Sequence, residues 1–118
     1  MTRAQNVTVA GTLTGNNANS TAMQIFGDLT VNGGGLYNSF CANGLAAVRT
    51  YLGGNLVNNG TVDLSRAAGL LAWFGSKPSS YSGTGTMANG FIANVWHANS
   101  GGITYNAAVE VRNTCGLY

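Results

Sequence analysis

A seven-residue stretch of this chain returns 27 positions later. Gly27-Asp28-Leu29-Thr30-Val31-Asn32-Gly33 lines up with Gly54-Asn55-Leu56-Val57-Asn58-Asn59-Gly60. Gly27/Gly54, Leu29/Leu56, Asn32/Asn59 and Gly33/Gly60 are identical, Asp28/Asn55 is isosteric, and Ile25/Leu52 keeps an apolar residue in register upstream. A period in the twenties is the length of one coil of a β-solenoid. The residues inside the echo alternate as strands do, and so do others. In Val7-Thr8-Val9-Ala10-Gly11-Thr12-Leu13-Thr14 the apolar Val7, Val9 and Leu13 fall at odd positions with Thr8, Thr12 and Thr14 between them. Alternate side chains of a strand point to opposite faces, so one face is core and the other solvent. The pattern recurs in Thr61–Leu64, Ile103–Tyr105 and Val109–Arg112. Between the runs stand Gly15-Asn16-Asn17, Asn32-Gly33-Gly34-Gly35, Asn58-Asn59-Gly60 and Asn99-Ser100-Gly101-Gly102, residues that reach turn conformations at little cost.

Two architectures satisfy such strands: a β-solenoid, in which stacked Thr and Asn ladder along the coils, and a β-sandwich. Charge favours the first. Only 7% of the 118 residues are charged, whereas an exposed sandwich edge is normally blunted by Lys or Glu. The chain therefore reads as a single all-β domain over residues 1–118, a slice of a longer array, with loops outside the coil expected at 38–48 and 67–80. Helical periodicity is weak, because Gly44 and Gly69 interrupt the two best candidates, 41–48 and 65–74. The expected inward residues are Val7, Val9, Leu13, Ile25, Leu29, Val31, Leu52, Leu56, Val62, Leu64, Ile103, Val109 and Val111.

The same low charge limits function. Arg3, Arg49, Arg66, Lys77 and Arg112 are scattered and the net charge is only +2, so no stripe tracks a phosphate backbone and nucleic acid is not an expected partner. No apolar run approaches the roughly 20 residues that span a bilayer, so membrane insertion is not expected either. Asp28, Asp63 and Glu110 are the only carboxylates and His97 the only histidine. Turn-following Asp28 and Asp63 are best read as acceptors of backbone N–H groups. No nucleophile elbow, phosphate loop or metal-ligand cluster is present, so the sequence calls for no cofactor and no metal, and an enzyme is the least supported class. Cys41 and Cys115 fit no zinc spacing; they are either buried free thiols or one disulfide. Trp73, Phe74, Tyr81, Phe91 and Trp96 fall within 24 residues. They fill the core, or else Trp73, Tyr81 and Trp96 form an exposed platform for sugar rings.

Tyr51-Leu52-Gly53-Gly54-Asn55-Leu56-Val57-Asn58-Asn59-Gly60-Thr61-Val62-Asp63-Leu64-Ser65 resembles the Gly/Asn/Thr-rich repeats of large secreted surface proteins of Bacteroidota, cargo of the type IX export system. Tyr81–Thr86 and Asn99–Val111 are similar to the strands that follow in such repeats. The resemblance implies a right-handed parallel β-helix in an adhesin-like stalk or self-assembling filament, outside the cell or on its surface. The implied partners are neighbouring repeats, identical subunits or surface glycans. Phage tail fibres and capsid decorations carry runs like that of Val7–Thr14, which keeps a virion component open as an alternative.

Overall fold

The computed structural model describes residues 2–14, 21–38, 48–65 and 69–117. The chain winds through short strands separated by Gly- and Asn-bearing corners. The first coil is β1 (Thr2–Ala4), β2 (Val7–Val9) and β3 (Thr12–Thr14); the second is β4 (Thr21–Ile25), β5 (Leu29–Val31) and β6 (Leu36–Asn38). The third is β7 (Val48–Leu52), β8 (Leu56–Asn58) and β9 (Thr61–Asp63), and the fourth β10 (Leu70–Gly75), β11 (Ser79–Ser82) and β12 (Thr86–Met87). A 3-10 turn, Ala88–Gly90, leads to β13 (Ile92–Asn99), β14 (Ile103–Tyr105) and β15 (Val111–Leu117). Every pairing is parallel and joins equivalent strands of successive coils. Three sheets result: β1-β4-β7-β10-β13-β15, β2-β5-β8-β11-β14, and β3-β6-β9-β12. This is a right-handed β-solenoid of about four turns, and the sandwich alternative falls away.

The echo is a true coil repeat. Leu29 lies beside Leu56 in the β5–β8 ladder, and Leu56 beside Tyr81 in the next. All thirteen expected inward residues belong to one apolar cluster. Val9, Ile25, Leu29, Val31, Leu52, Leu56, Val62 and Leu64 are buried, while Val7, Leu13, Ile103, Val109 and Val111 pack partly buried against them. Burying each full side chain contributes about 1.5–3 kcal/mol. Tyr37, Leu71, Trp73, Tyr81, Ile92 and Val95 complete the cluster.

Polar columns hold the corners. Asn6 Oδ1 accepts the Asp28 N–H at 2.9 Å, Asp28 Oδ1 accepts the Asn55 N–H at 2.8 Å, and Asn55 Oδ1 accepts the Ser80 N–H at 2.9 Å. One ladder thus runs through four coils, each rung satisfying a backbone donor that the bend takes out of its sheet. A second column is glycine: Gly11, Gly35, Gly60 and Gly85 immediately precede the in-register Thr12, Leu36, Thr61 and Thr86. A Cβ on Gly35, Gly60 or Gly85 would run into a carbonyl of the preceding coil, namely Val9 O, Asn32 O with Gly35 O, or Gly60 O. Gly11, in the first coil, has nothing within 4 Å of its Cβ position.

One expectation about organisation changes. The segment 67–80 is not a loop leaving the coil: Leu70–Gly75 and Ser79–Ser82 are strands of the fourth coil. Leu70, Leu71, Ala72 and Trp73 are all buried, so β10 is covered on both faces and shows no alternation. The other expected loop, 38–48, has its ends in β6 and β7, and residues 39–47 between them lie outside the described residues. The last coil also departs from the others. After β14 the chain does not return to the third sheet, which ends at β12 among the described residues; it crosses directly to β15, laying Ala107 and Val109 against the core.

Candidate functional site

The three aromatic residues of the sugar-platform reading separate in space. Trp73 is 0% exposed and Tyr81 3%, both inside the coil, whereas Trp96 is 37% exposed on the opposite face of its sheet, in register with Ala72 and Gly116. The strand period explains the split: Trp96 is paired with Ala72, and Trp73, one residue on, takes the inward side beside Leu52 and His97. Trp73, Tyr81 and Trp96 therefore do not form one exposed stacking surface. Among the described residues the exposed apolar rings are Phe26, Trp96 and Tyr105; Phe26 packs edge-on against Phe74 at 6.1 Å between ring centroids.

The carboxylates are used locally. Asp28 serves the corner ladder, Asp63 accepts from the Ser65 N–H at 3.1 Å and the Ser65 hydroxyl at 2.7 Å, and Glu110 pairs with Arg112 at 2.8 Å. Arg112 also lies 4.1 Å from the centre of the Phe91 ring. Among the described residues no three His, Cys, Asp or Glu side chains gather as a metal site, and no helix is long and apolar enough to cross a membrane. Of the cysteine pair, Cys41 lies outside the described residues and Cys115 carries an exposed thiol.

A site the sequence did not disclose sits where the last coil closes. His97 of β13, Tyr105 of β14 and Cys115 of β15 meet around a cavity of about 330 Å³, walled by Ala107, Val109 and Val111. His97 Nε2 and the Tyr105 hydroxyl are 2.7 Å apart, and Cys115 Sγ is 4.0 Å from His97 Nδ1. Tyr105 stands edge-on to Trp73 at 6.4 Å and to His97 at 5.8 Å. Burial pushes the Tyr105 phenol above its ordinary value; the nearby Trp73 indole N–H opposes that shift and the Cys115 charge adds to it. The indole stops short of a hydrogen bond, so Trp73 Nε1 is a buried donor with no partner. The only sequence signal for this cluster is the coil offset: His97 is followed by Cys115 and Leu117 in neighbouring register positions, Val95 pairing Cys115 and His97 pairing Leu117.

No protein-family model matches the chain, and neither the characterised proteins nor the solved structures yield a match.

Proposed function

We propose that this chain is a structural module, a stiff solenoid segment that extends by stacking another coil on its first one. Coils of an adjoining repeat or of an identical subunit are the intended neighbours, and the setting is the exterior of a cell, on the resemblance to secreted surface repeats. The observation that carries the reading is the first coil itself. In a parallel ladder successive residues direct their N–H and C=O to opposite sides. Val7 N donates to Asp28 O and Val9 O accepts from Asn32 N, both toward the second coil. Thr8 between them therefore turns its backbone donor and acceptor to the side where sheet two ends. Gly11 repeats there the glycine that the second, third and fourth coils use to admit their predecessors. Arg3 is the one charged side chain on these three strands, so little charge blunts the edge.

Sedimentation over a wide concentration range tests this. The wild-type protein should associate, and Thr8→Pro and Gly11→Ala should each prevent association while leaving the circular dichroism spectrum unchanged. A wild type that stays monomeric at millimolar concentration, or variants that associate as well as it does, would overturn the reading.

A further inference from the structure

The geometry points to a thiol-addition site in the closing coil: Cys115 as nucleophile, His97 as its base, and Tyr105 as hydrogen-bond donor to a small, mostly apolar α,β-unsaturated carbonyl compound. The three side chains come from three successive strands, so the site exists only when the last coil is in place. Its atoms are ordered for this use. His97 Nε2 lies 2.7 Å from the Tyr105 oxygen and Nδ1 4.0 Å from Cys115 Sγ; in the tautomer that the proposal uses, Nε2–H donates to Tyr105 and Nδ1 is the acceptor facing the thiol. That separation is long for a finished proton transfer and ordinary for a nucleophile–base pair without ligand. Tyr105 keeps its own proton at neutral pH, because burial disfavours the phenolate, so its O–H is free to donate to an incoming carbonyl oxygen. The apolar walls and a volume of about 330 Å³ suit a compact, uncharged body.

The reaction balances within the pair of molecules. The Cys115 proton passes to His97 Nδ1, and sulfur forms a bond to the β-carbon. The C=C π pair moves onto the carbonyl as an enolate held by the Tyr105 O–H. His97 then returns the proton to the α-carbon. The net change is addition of S–H across the double bond, with no oxidant or reductant.

The test uses 2-cyclohexenone and, as a reagent without a conjugated carbonyl acceptor, iodoacetamide, with adducts at Cys115 and Cys41 counted separately by peptide mass spectrometry. His97→Gln should slow cyclohexenone addition at Cys115 by at least about tenfold while the rate at Cys41 holds. Tyr105→Phe should slow cyclohexenone addition several-fold and leave iodoacetamide alkylation of Cys115 unchanged. A variant that lost the fold would alter its circular dichroism; Tyr105→Phe, the smaller change, then carries the comparison. Equal cyclohexenone rates at Cys115 in the wild type and in both variants, or equal losses with both reagents in Tyr105→Phe, would overturn the assignment.

Discussion

Substituting alanine along the glycine column asks whether coils really stack at these corners. At Gly60 the new methyl overlaps Asn32 O and Gly35 O and lies 3.0 Å from Val31 Cγ1. None of these can swing away, since two are backbone atoms of the coil beneath and Val31 is fully buried. The third coil must lift, weakening the bonds that stitch the corner: Thr61 N to Gly35 O at 2.9 Å and Asn59 N to Val31 O at 2.7 Å. Overpacking costs about 1–3 kcal/mol and each weakened bond up to about 1 kcal/mol, so Gly60→Ala should destabilise by about 2–4 kcal/mol. For a domain of this size that lowers the melting midpoint by roughly 10 °C. Gly11→Ala adds the same methyl at the same column position but into open space. It should be neutral, or stabilise by up to about 1 kcal/mol through the unfolded chain. Thermal unfolding of dilute protein, followed by circular dichroism, measures both. If the two variants shifted the midpoint equally, the close approach of coil to coil at these glycines would be refuted.

Leu56→Asp should abolish the cooperative transition, because it buries a carboxylate between Leu29 and Tyr81; a retained midpoint would contradict the inward assignment. Asn55→Ala should cost about 1–3 kcal/mol in urea titrations by orphaning the Ser80 N–H, whereas Asp28→Asn keeps an acceptor for the Asn55 N–H and should cost under about 0.5 kcal/mol. Burial lifts the Tyr37 phenol from 10.0 to about 12, against the opposing hydrogen bond from Thr50. Its contribution is complete below pH 10 and fades as pH rises toward 12, where the unfolded chain has already released the proton the fold retains. Stability should fall by about 2–3 kcal/mol across that window, and Tyr37→Phe should flatten the fall.

Sequence patterning shows the fold class plainly here because β5 and β8 keep one register, apolar residues inward and Asn-Gly at the bend. It shows less where coil length changes. Thr2 pairs with Met23 and Thr21 with Val48, offsets of 21 and 27 that smear any single period. The corner before sheet three keeps nearly constant spacing, and Gly11-Thr12, Gly60-Thr61 and Gly85-Thr86 were the readable mark of it. The fourth coil hides for another reason: β10 is buried on both faces, so residues 70–73 read as a continuous apolar run that a short helix would share. The aromatic cluster of the sequence divides because Trp73 and Trp96 sit on opposite faces of one sheet, a separation that depends on pairing register and not on sequence distance. His97, Tyr105 and Cys115 meet only because the last coil omits the third sheet and brings β15 directly beside β13, a shortcut that no local pattern announces.

The most direct test of coil-on-coil stacking is the set of interstrand nuclear Overhauser contacts in labelled protein. Parallel coils require Thr8–Thr30, Thr30–Val57 and Val57–Ser82 contacts, partner numbers rising together along each strand. Contacts in which one partner's number falls as the other's rises would mean antiparallel hairpins, and the solenoid account would be wrong.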